Sequence, residues 1–258
     1  MSLKGKLAVK VHQSLSFSSF LAKLESAPVL FWPGCSLMNL GPDILHKSLA
    51  ILQREIPEMR LASYCCGQPS YYVLPKDYPK HEAKTQKLLK EAGIKTICTA
   101  CANCYQQMKD WEGLEVKPVY ELLARNIQDQ DLVKSDLKEI ALHDPCPFRK
   151  EKGVHQAARE LIAKTGVKIL DCPNQAEKTR CCGNIHLMNA LQEEKSKKMR
   201  LLRLGDFPED ATICSYCQGC LNSFAGEGRK TIHLLELLLG QVPQKGWGQR
   251  LKYARSLN

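Results

Sequence analysis

The chain contains no apolar run of the roughly 18 residues needed to cross a bilayer. Its greasiest stretch, Leu234 to Leu239, is interrupted by Glu236. Residues 1–26 lack the continuous apolar core of a secretory leader and contain no acid before Glu25. Transit peptides share that bias but are Arg-rich, whereas the basic residues here are Lys4, Lys6, Lys10 and Lys23. The segment reads as an N-terminal arm for partner docking or loose order, with a plain surface helix as the simpler alternative. No G-x-G-x-x-G fingerprint is present, which excludes the common dinucleotide-binding turn. The formal charge of +10 comes without a zinc-finger, basic-zipper or ribonucleoprotein motif. Its basic residues are spread over stretches such as Lys195 to Arg203 and Lys245 to Arg255. Nucleic acid is therefore not an expected partner, while an acidic protein surface fits. No transmembrane segment is expected, and a cytoplasmic location follows.

What the chain has in excess is cysteine, thirteen in all. Without export, an odd count of this kind argues against a disulfide framework and for ligands or redox centres. Ten of the thirteen form one pattern written twice: Cys35, Cys65-Cys66-Gly67, Cys101 and Cys104, then Cys146, Cys181-Cys182-Gly183, Cys217 and Cys220. Cys66 and Cys182, Cys101 and Cys217, and Cys104 and Cys220 are each 116 positions apart. Thirty-four residues separate each pair from its C-x-x-C, and only the leading cysteine drifts, by five residues. Two copies of one thiolate set predict two metal sites in two tandem domains.

The elements between the cysteines alternate. Val29–Trp32, Met59–Tyr64, Ile94–Ile97, Ile140–His143, Val167–Leu170 and Ala211–Ile213 read as strands. Residues 42–55, 78–92, 153–165 and 188–204 read as helices, and leucine-rich helices at Val119–Ala124 and Ile232–Leu239 close the copies. This predicts an α/β fold of two similar domains, each a small parallel sheet flanked by helices. Each patterned cysteine follows a strand, so the five of each copy converge on the C-terminal strand edge. The expected boundaries are an arm over 1–26, a first domain over 27–127, a polar linker over 128–137, a second domain over 138–240 and a basic tail over 241–258.

Iron–sulfur clusters and structural zinc both take thiolate. Zinc favours four ligands, often from two C-x-x-C knuckles, whereas each copy offers five with a vicinal pair. Neighbouring sulfurs are too close to chelate one tetrahedral ion comfortably but suit adjacent irons. The glycine after each pair lets backbone N–H groups approach sulfur. Cys98 and Cys214 extend each downstream motif to C-x-x-C-x-x-C, but Met108 and Phe224 stand where a ferredoxin run needs its fourth cysteine. Both fit small buried strand residues, or a sixth sulfur beside each site. Cys172 has no counterpart and reads as a packed or free thiol. His143 is expected to order its strand end. His186, four residues beyond Cys182, is a catalytic candidate, suited to hydrogen-bond a sulfur or protonate a released thiolate; a satisfied core histidine is the simpler reading of both. His46, His81, His155 and His233 fall on helix patterns and carry no signal. Asn103 in the first C-x-x-C is Gly219 in the second, so the two interiors differ.

From Val29 to Leu239 the chain resembles the CCG cysteine-rich family, best known from the B-type subunit of heterodisulfide reductase. The likeness rests on Phe31-Trp32-Pro33-Gly34-Cys35-Ser36-Leu37, His143-Asp144-Pro145-Cys146, both cysteine pairs with glycine and both C-x-x-C motifs. It implies two facing α/β domains, each binding a noncubane 4Fe-4S cluster. Cys35, Cys65, Cys66, Cys101 and Cys104 would ligate one, and Cys146, Cys181, Cys182, Cys217 and Cys220 the other. Zinc in the first domain is the alternative, as in some relatives, and the gap from Cys35 to Cys65 holds 29 residues against 34 in the second copy. The function implied is an oxidoreductase subunit that takes electrons from a ferredoxin-like or flavin-containing partner to reduce a small-molecule disulfide or other acceptor. The alternatives are a non-catalytic electron-transfer subunit of a lactate, glycolate, glycerol-phosphate or succinate dehydrogenase-type complex, peripheral to a membrane through its partner, and a zinc-bound scaffold.

Overall fold

A computed structural model of the chain describes residues 3–240, 242 and 245–257, the side chains of Leu3 and Lys4 excepted. The chain divides into two compact units, residues 1–119 with 244–258, and residues 120–243.

Unit one runs α1 (Leu3–Ser16), β1 (Lys23–Leu24), β2 (Val29–Trp32), α2 (Pro42–Leu52), β3 (Arg60–Ser63), α3 (Gln68–Val73), α4 (Tyr78–Glu91), β4 (Thr96–Thr99), α5 (Ala102–Met108) and β5 (Glu115–Pro118). Its sheet has the order β1-β3-β2-β4-β5, with β1 antiparallel and the other neighbours parallel. The central strand β2 is an apolar run buried on both faces, as covered parallel strands are. Pro42 opens α2, where its missing N–H costs nothing, and Ile44, Leu45, Ser48, Ile51 and Leu52 form its buried stripe.

Unit two runs α6 (Tyr120–Asn126), β6 (Glu139–His143), α7 (Lys152–Lys164), β7 (Lys168–Ile169), α8 (Met188–Leu191), α9 (Glu193–Leu204), β8 (Ile213–Ser215), α10 (Gln218–Ala225), β9 (Thr231–His233) and α11 (Leu234–Leu239). Its sheet is wholly parallel in the order β7-β6-β8-β9. The expected α/β class and the two largely parallel sheets are present. Cys35, Cys65, Cys101, Cys146 and Cys217 lie just beyond strand ends, whereas Cys181 and Cys182 stand in a long loop well past β7 and Cys104 and Cys220 sit in the first turns of α5 and α10.

The boundaries differ from those read in the sequence. Tyr120–Asn126 belongs to unit two, because the Tyr120 hydroxyl donates to the Tyr216 carbonyl at 2.8 Å and Lys164 Nζ caps the carbonyls of Ala124 and Ile127 at 3.2 Å each. Residues 128–137 are part of unit two, where Val133 N–H donates to the Leu238 carbonyl at 2.9 Å. The basic tail is part of unit one. Its helix, Trp247–Arg255, packs on α2, the Tyr253 hydroxyl reaches the Ala62 carbonyl at 3.0 Å, and Arg250 is buried. Gln241, Pro243, Gln244 and Asn258 lie outside the described residues. The arm is likewise built in, through α1 and through β1 at the sheet edge.

Each sheet also has a fourth parallel strand that the sequence pattern hides. β5 is an edge strand of alternating exposed and half-buried residues, so it shows no apolar run. β9 takes the first residues of the stretch read as a helix. That helix starts only at Leu234, where the His233 ring accepts from Leu235 N–H at 3.1 Å and Glu236 accepts from His233 N–H at 3.2 Å. The long helix read over 188–204 is interrupted at Gln192, between α8 and α9.

Candidate metal centres

Among the mutually parallel strands, the order reverses between β2 and β4 in unit one and between β6 and β8 in unit two. Such a switch point opens a crevice at the carboxyl strand ends. Cys35 follows β2 and Cys101 follows β4; Cys146 follows β6 and Cys217 follows β8. Both crevices are pinned alike: Thr99 Oγ1 donates to the Trp32 carbonyl and Ser215 Oγ to the His143 carbonyl, each at 2.8 Å.

All thirteen cysteines are free thiols. In unit one Cys35, Cys65, Cys66, Cys104 and Cys101 form a chain in which each sulfur lies close enough to the next to shift its ionisation. In unit two Cys146, Cys181, Cys182, Cys220 and Cys217 form the same chain in the same order. Gly67 N–H points at Cys65 Sγ at 3.5 Å, and Gly183 N–H at Cys181 Sγ at 3.3 Å. Both glycines have positive φ, +79° and +85°, which the turn beneath the sulfur requires.

The electrostatics of the two sets match a multivalent cation. Hydrogen bonding to Cys65 and then burial push the Cys35 thiol up to about 12. Cys146 is raised far above the thiol range by Cys181 and by burial. Cys104 is raised by Cys101 and Cys66, and Cys220 by Cys182 and Cys217. Cys66, held by Cys104 and Cys65, is drawn down to about 6, and Cys181, held by Cys146 and Cys182, to about 2. Some thiols thus ionise readily while their neighbours, facing a thiolate at close range, keep their protons. Full ionisation needs positive charge among the sulfurs, which is what bound iron or zinc provides. Five buried or half-buried soft donors with no disulfide fit such a group.

Three segments carry the second set, and Asp144 ties them together. It accepts from Arg159 twice, at 2.9 Å each, from the Tyr216 hydroxyl beside Cys217 at 2.8 Å, and from Ala176 N–H at 2.6 Å. Thr179, two residues before Cys181, donates to the Asp144 carbonyl at 2.7 Å. Burial opposes ionisation of Asp144, but hydrogen bonds from His155 and Arg159 hold it well below the usual carboxylate range. His155, which gives no signal in the sequence, is therefore part of this brace.

The first set has no counterpart of Asp144 and is closed by α1. A ring nitrogen of His12 lies within 4.8 Å of the sulfurs of Cys35 and Cys65, and Gln13 Nε2 donates to Cys65 Sγ at 3.5 Å. The helix is turned inside out. Gln13 and Ser16 are buried, whereas Leu7, Val11 and Leu15 are exposed. Neither His12 nor Gln13 stands out in the sequence; the inverted polarity of α1 is the available signal.

The remaining candidates separate cleanly. Cys98 and Cys214 lie within β4 and β8, and their strand neighbours Ile97 and Ile213 pack with the cysteine sets. Side chains alternate along a strand, so Cys98 and Cys214 face the opposite side and neither adds a sixth sulfur to its set. Cys172 is buried in the same core cluster as Cys182, Cys217 and Cys220. His143 is fully buried, with a ring nitrogen within 4.8 Å of the sulfurs of Cys182 and Cys220. Burial and then the Arg203 cation hold it neutral, down at about 3. His186 is exposed and has left-handed backbone (φ +54°) in the turn that wraps Cys181.

Among the described residues no helix is long and apolar enough to cross a membrane. Residues 29–109 and 140–225 match the model of the CCG cysteine-rich domain. The D-type subunit of dihydromethanophenazine:CoB–CoM heterodisulfide reductase from Methanosarcina mazei is 33% identical over 181 residues, covering 62% of this chain and 43% of that protein. Its counterpart from Methanosarcina barkeri is 30% identical over the same shares. An iron–sulfur protein of Methanocaldococcus jannaschii is 26% identical over 76% of this chain and 41% of its own length. The chain thus spans less than half the length of these curated relatives, and the reductase subunit they name is of the D type, not the B type suggested by the cysteine pattern. With two matched segments, each enclosing a complete five-cysteine set, this chain belongs to the CCG cysteine-rich domain family.

Proposed function

We propose that this chain is an iron–sulfur redox subunit of heterodisulfide reductase type, with Cys35, Cys65, Cys66, Cys101 and Cys104 holding one noncubane 4Fe-4S cluster and Cys146, Cys181, Cys182, Cys217 and Cys220 the other. The observation that carries it is the identical order of thiol contacts in the two units. A tetrahedral zinc ion leaves one of five thiolates unused, whereas a cluster with several irons employs all five. Bound there, such a cluster supplies one-electron transfer and an iron able to take a substrate sulfur.

Reducing a disulfide to two thiols consumes two electrons and two protons. The similar reductase chains are named as subunits, which supports delivery of the electrons by a partner carrying flavin or a ferredoxin-type cluster. Cys65, Cys66 and Cys104, and Cys182, Cys217 and Cys220, are buried and keep water from the sulfurs. Cys35, Cys101, Cys146 and Cys181 are half-exposed, which leaves an approach for a small disulfide. His186, exposed beside the turn around Cys181, is the candidate for protonating a released thiolate.

Anaerobic isolation with iron, zinc and acid-labile sulfide analysis, followed by electron paramagnetic resonance, tests this. Iron and sulfide in both units are expected; zinc alone in both, even after reconstitution, would sink the redox reading. Zinc in unit one with iron in unit two would reassign the first site as structural.

A further inference from the structure

Two ring nitrogens stand out among the buried polar atoms that lack a partner: Trp32 Nε1 and His143 Nε2. Trp32 is three residues before Cys35, and His143 three before Cys146. Each is the last residue of the first strand of its parallel pair, β2 or β6, and each is fully buried. A buried donor without a partner is costly, so its appearance at the same place in both copies calls for an acceptor at that place.

The surroundings supply sulfur. Trp32 packs in the core with Cys65, Cys66 and Cys104. A ring nitrogen of His143 lies within 4.8 Å of Cys182 and Cys220 Sγ, the repeat counterparts of Cys66 and Cys104. Indole Nε1–H can only donate. The imidazole could in principle do either, but Arg203 decides. Its Nε–H donates to His143 Nδ1 at 3.2 Å, which makes Nδ1 the lone-pair nitrogen and places the ring proton on Nε2. Arg203 is itself buried and fixed by Asp206 at 2.9 Å and the Pro173 carbonyl at 3.0 Å. Phe224, edge-on to the His143 ring with centroids 4.9 Å apart, limits its rotation.

We propose that Trp32 and His143 each donate a ring N–H hydrogen bond to the metal-bound thiolates of their own unit, Trp32 toward Cys66 and Cys104 and His143 toward Cys182 and Cys220. Arg203 is the positioning residue that sets the His143 tautomer. The inference rests on the cysteines being metal ligands, as in the proposed function, but not on which metal they hold. An N–H donor withdraws charge from sulfur and favours the more electron-rich state, so it raises a redox-active centre's potential.

The test uses the full chain in two forms. In protein substituted with cadmium-113, proton–cadmium couplings through the hydrogen bonds are expected at the Trp32 indole and the His143 Nε2 proton. Nitrogen-15 shifts of His143 should show the Nε2–H tautomer. Absence of both couplings, or an Nδ1–H tautomer at His143, overturns the assignment, and no variant has to fold for that result. In the iron-loaded protein, Trp32→Phe should lower only the first centre's midpoint potential and His143→Leu only the second's, with His143→Gln restoring part of the loss. Variants with full iron content and unchanged potentials refute the inference, whereas absence of iron from the wild type counts against the iron–sulfur reading and leaves the cadmium result to decide this one.

Discussion

Arg159 grips Asp144 through two parallel hydrogen bonds of 2.9 Å, Nη1 to Oδ1 and Nη2 to Oδ2. This fork is the strong form of a carboxylate contact, and its acceptor joins the segments bearing Cys146, Cys181 and Cys217. Asp144→Asn keeps the shape but leaves a cation facing a neutral amide. Removing one partner of a fully buried pair costs about 3–5 kcal/mol, and because 30% of the Arg159 side chain is exposed the loss here falls at or below the lower end of that range. Chemical denaturation should show that loss in unit two, together with depleted metal at the second centre and an intact first one.

Gly34 has φ +85°, and a Cβ on it would stand 2.5 Å from Cys101 Cβ and 3.1 Å from Cys101 Sγ. Gly34→Ala should therefore displace a ligand of the first centre. Metal analysis of the variant is expected to fall to the content of the second centre alone.

Gly183 is crowded from another side, since a Cβ there would come within 2.3 Å of the Ser196 carbonyl oxygen. Gly183→Ala must push Cys182 or α9 away, adding to the roughly 1–3 kcal/mol of an L-residue in strained backbone. Loss of the second centre's spectroscopic signal with retention of the first is the expected result.

Cys98→Ala and Cys214→Ala should leave metal content and spectra unchanged, because both side chains lie on the sheet face away from the sulfurs. Each removes one buried sulfur, a cost of about 1 kcal/mol readable as a small shift in the unfolding midpoint. Cys182→Ser, by contrast, should abolish the second signal.

Deleting residues 1–20 removes His12 and Gln13 from the first set and takes Ser16 from Arg250, to which it is bonded at 3.0 Å. Alkylation of Cys65 in the metal-free protein should then rise by at least tenfold, while labelling of Cys181 stays as before. Equal rates at Cys65 before and after the deletion would show that α1 does not cover it.

The cysteine spacing and the strand–helix alternation make the parallel sheets and the convergence of each set readable in the sequence, since both follow from local pattern and chain direction. What escapes is contributed by residues far away in sequence or by faces without an apolar pattern. β5 hides because an edge strand of Glu, Val, Lys and Pro buries little. Tyr120–Asn126 reads with the wrong unit because its packing depends on Tyr216, 96 positions downstream of Tyr120. His12, His155 and Arg203 have ordinary sequence surroundings, and their roles come only from what they meet in the folded chain. His143 is visible as the start of a motif, but its lone N–H is not.

The five residues by which the second copy exceeds the first fall between Cys146 and its cysteine pair. That stretch is where Ala176 and Thr179 reach Asp144. Duplication alone would have delivered two interchangeable half-proteins. The inserted loop instead equips one half with an internal clasp, while the other depends on a helix recruited from outside the repeat. A graft of residues 171–180 into the first copy would consequently import a key without its lock, because Pro33 stands where Asp144 would have to be.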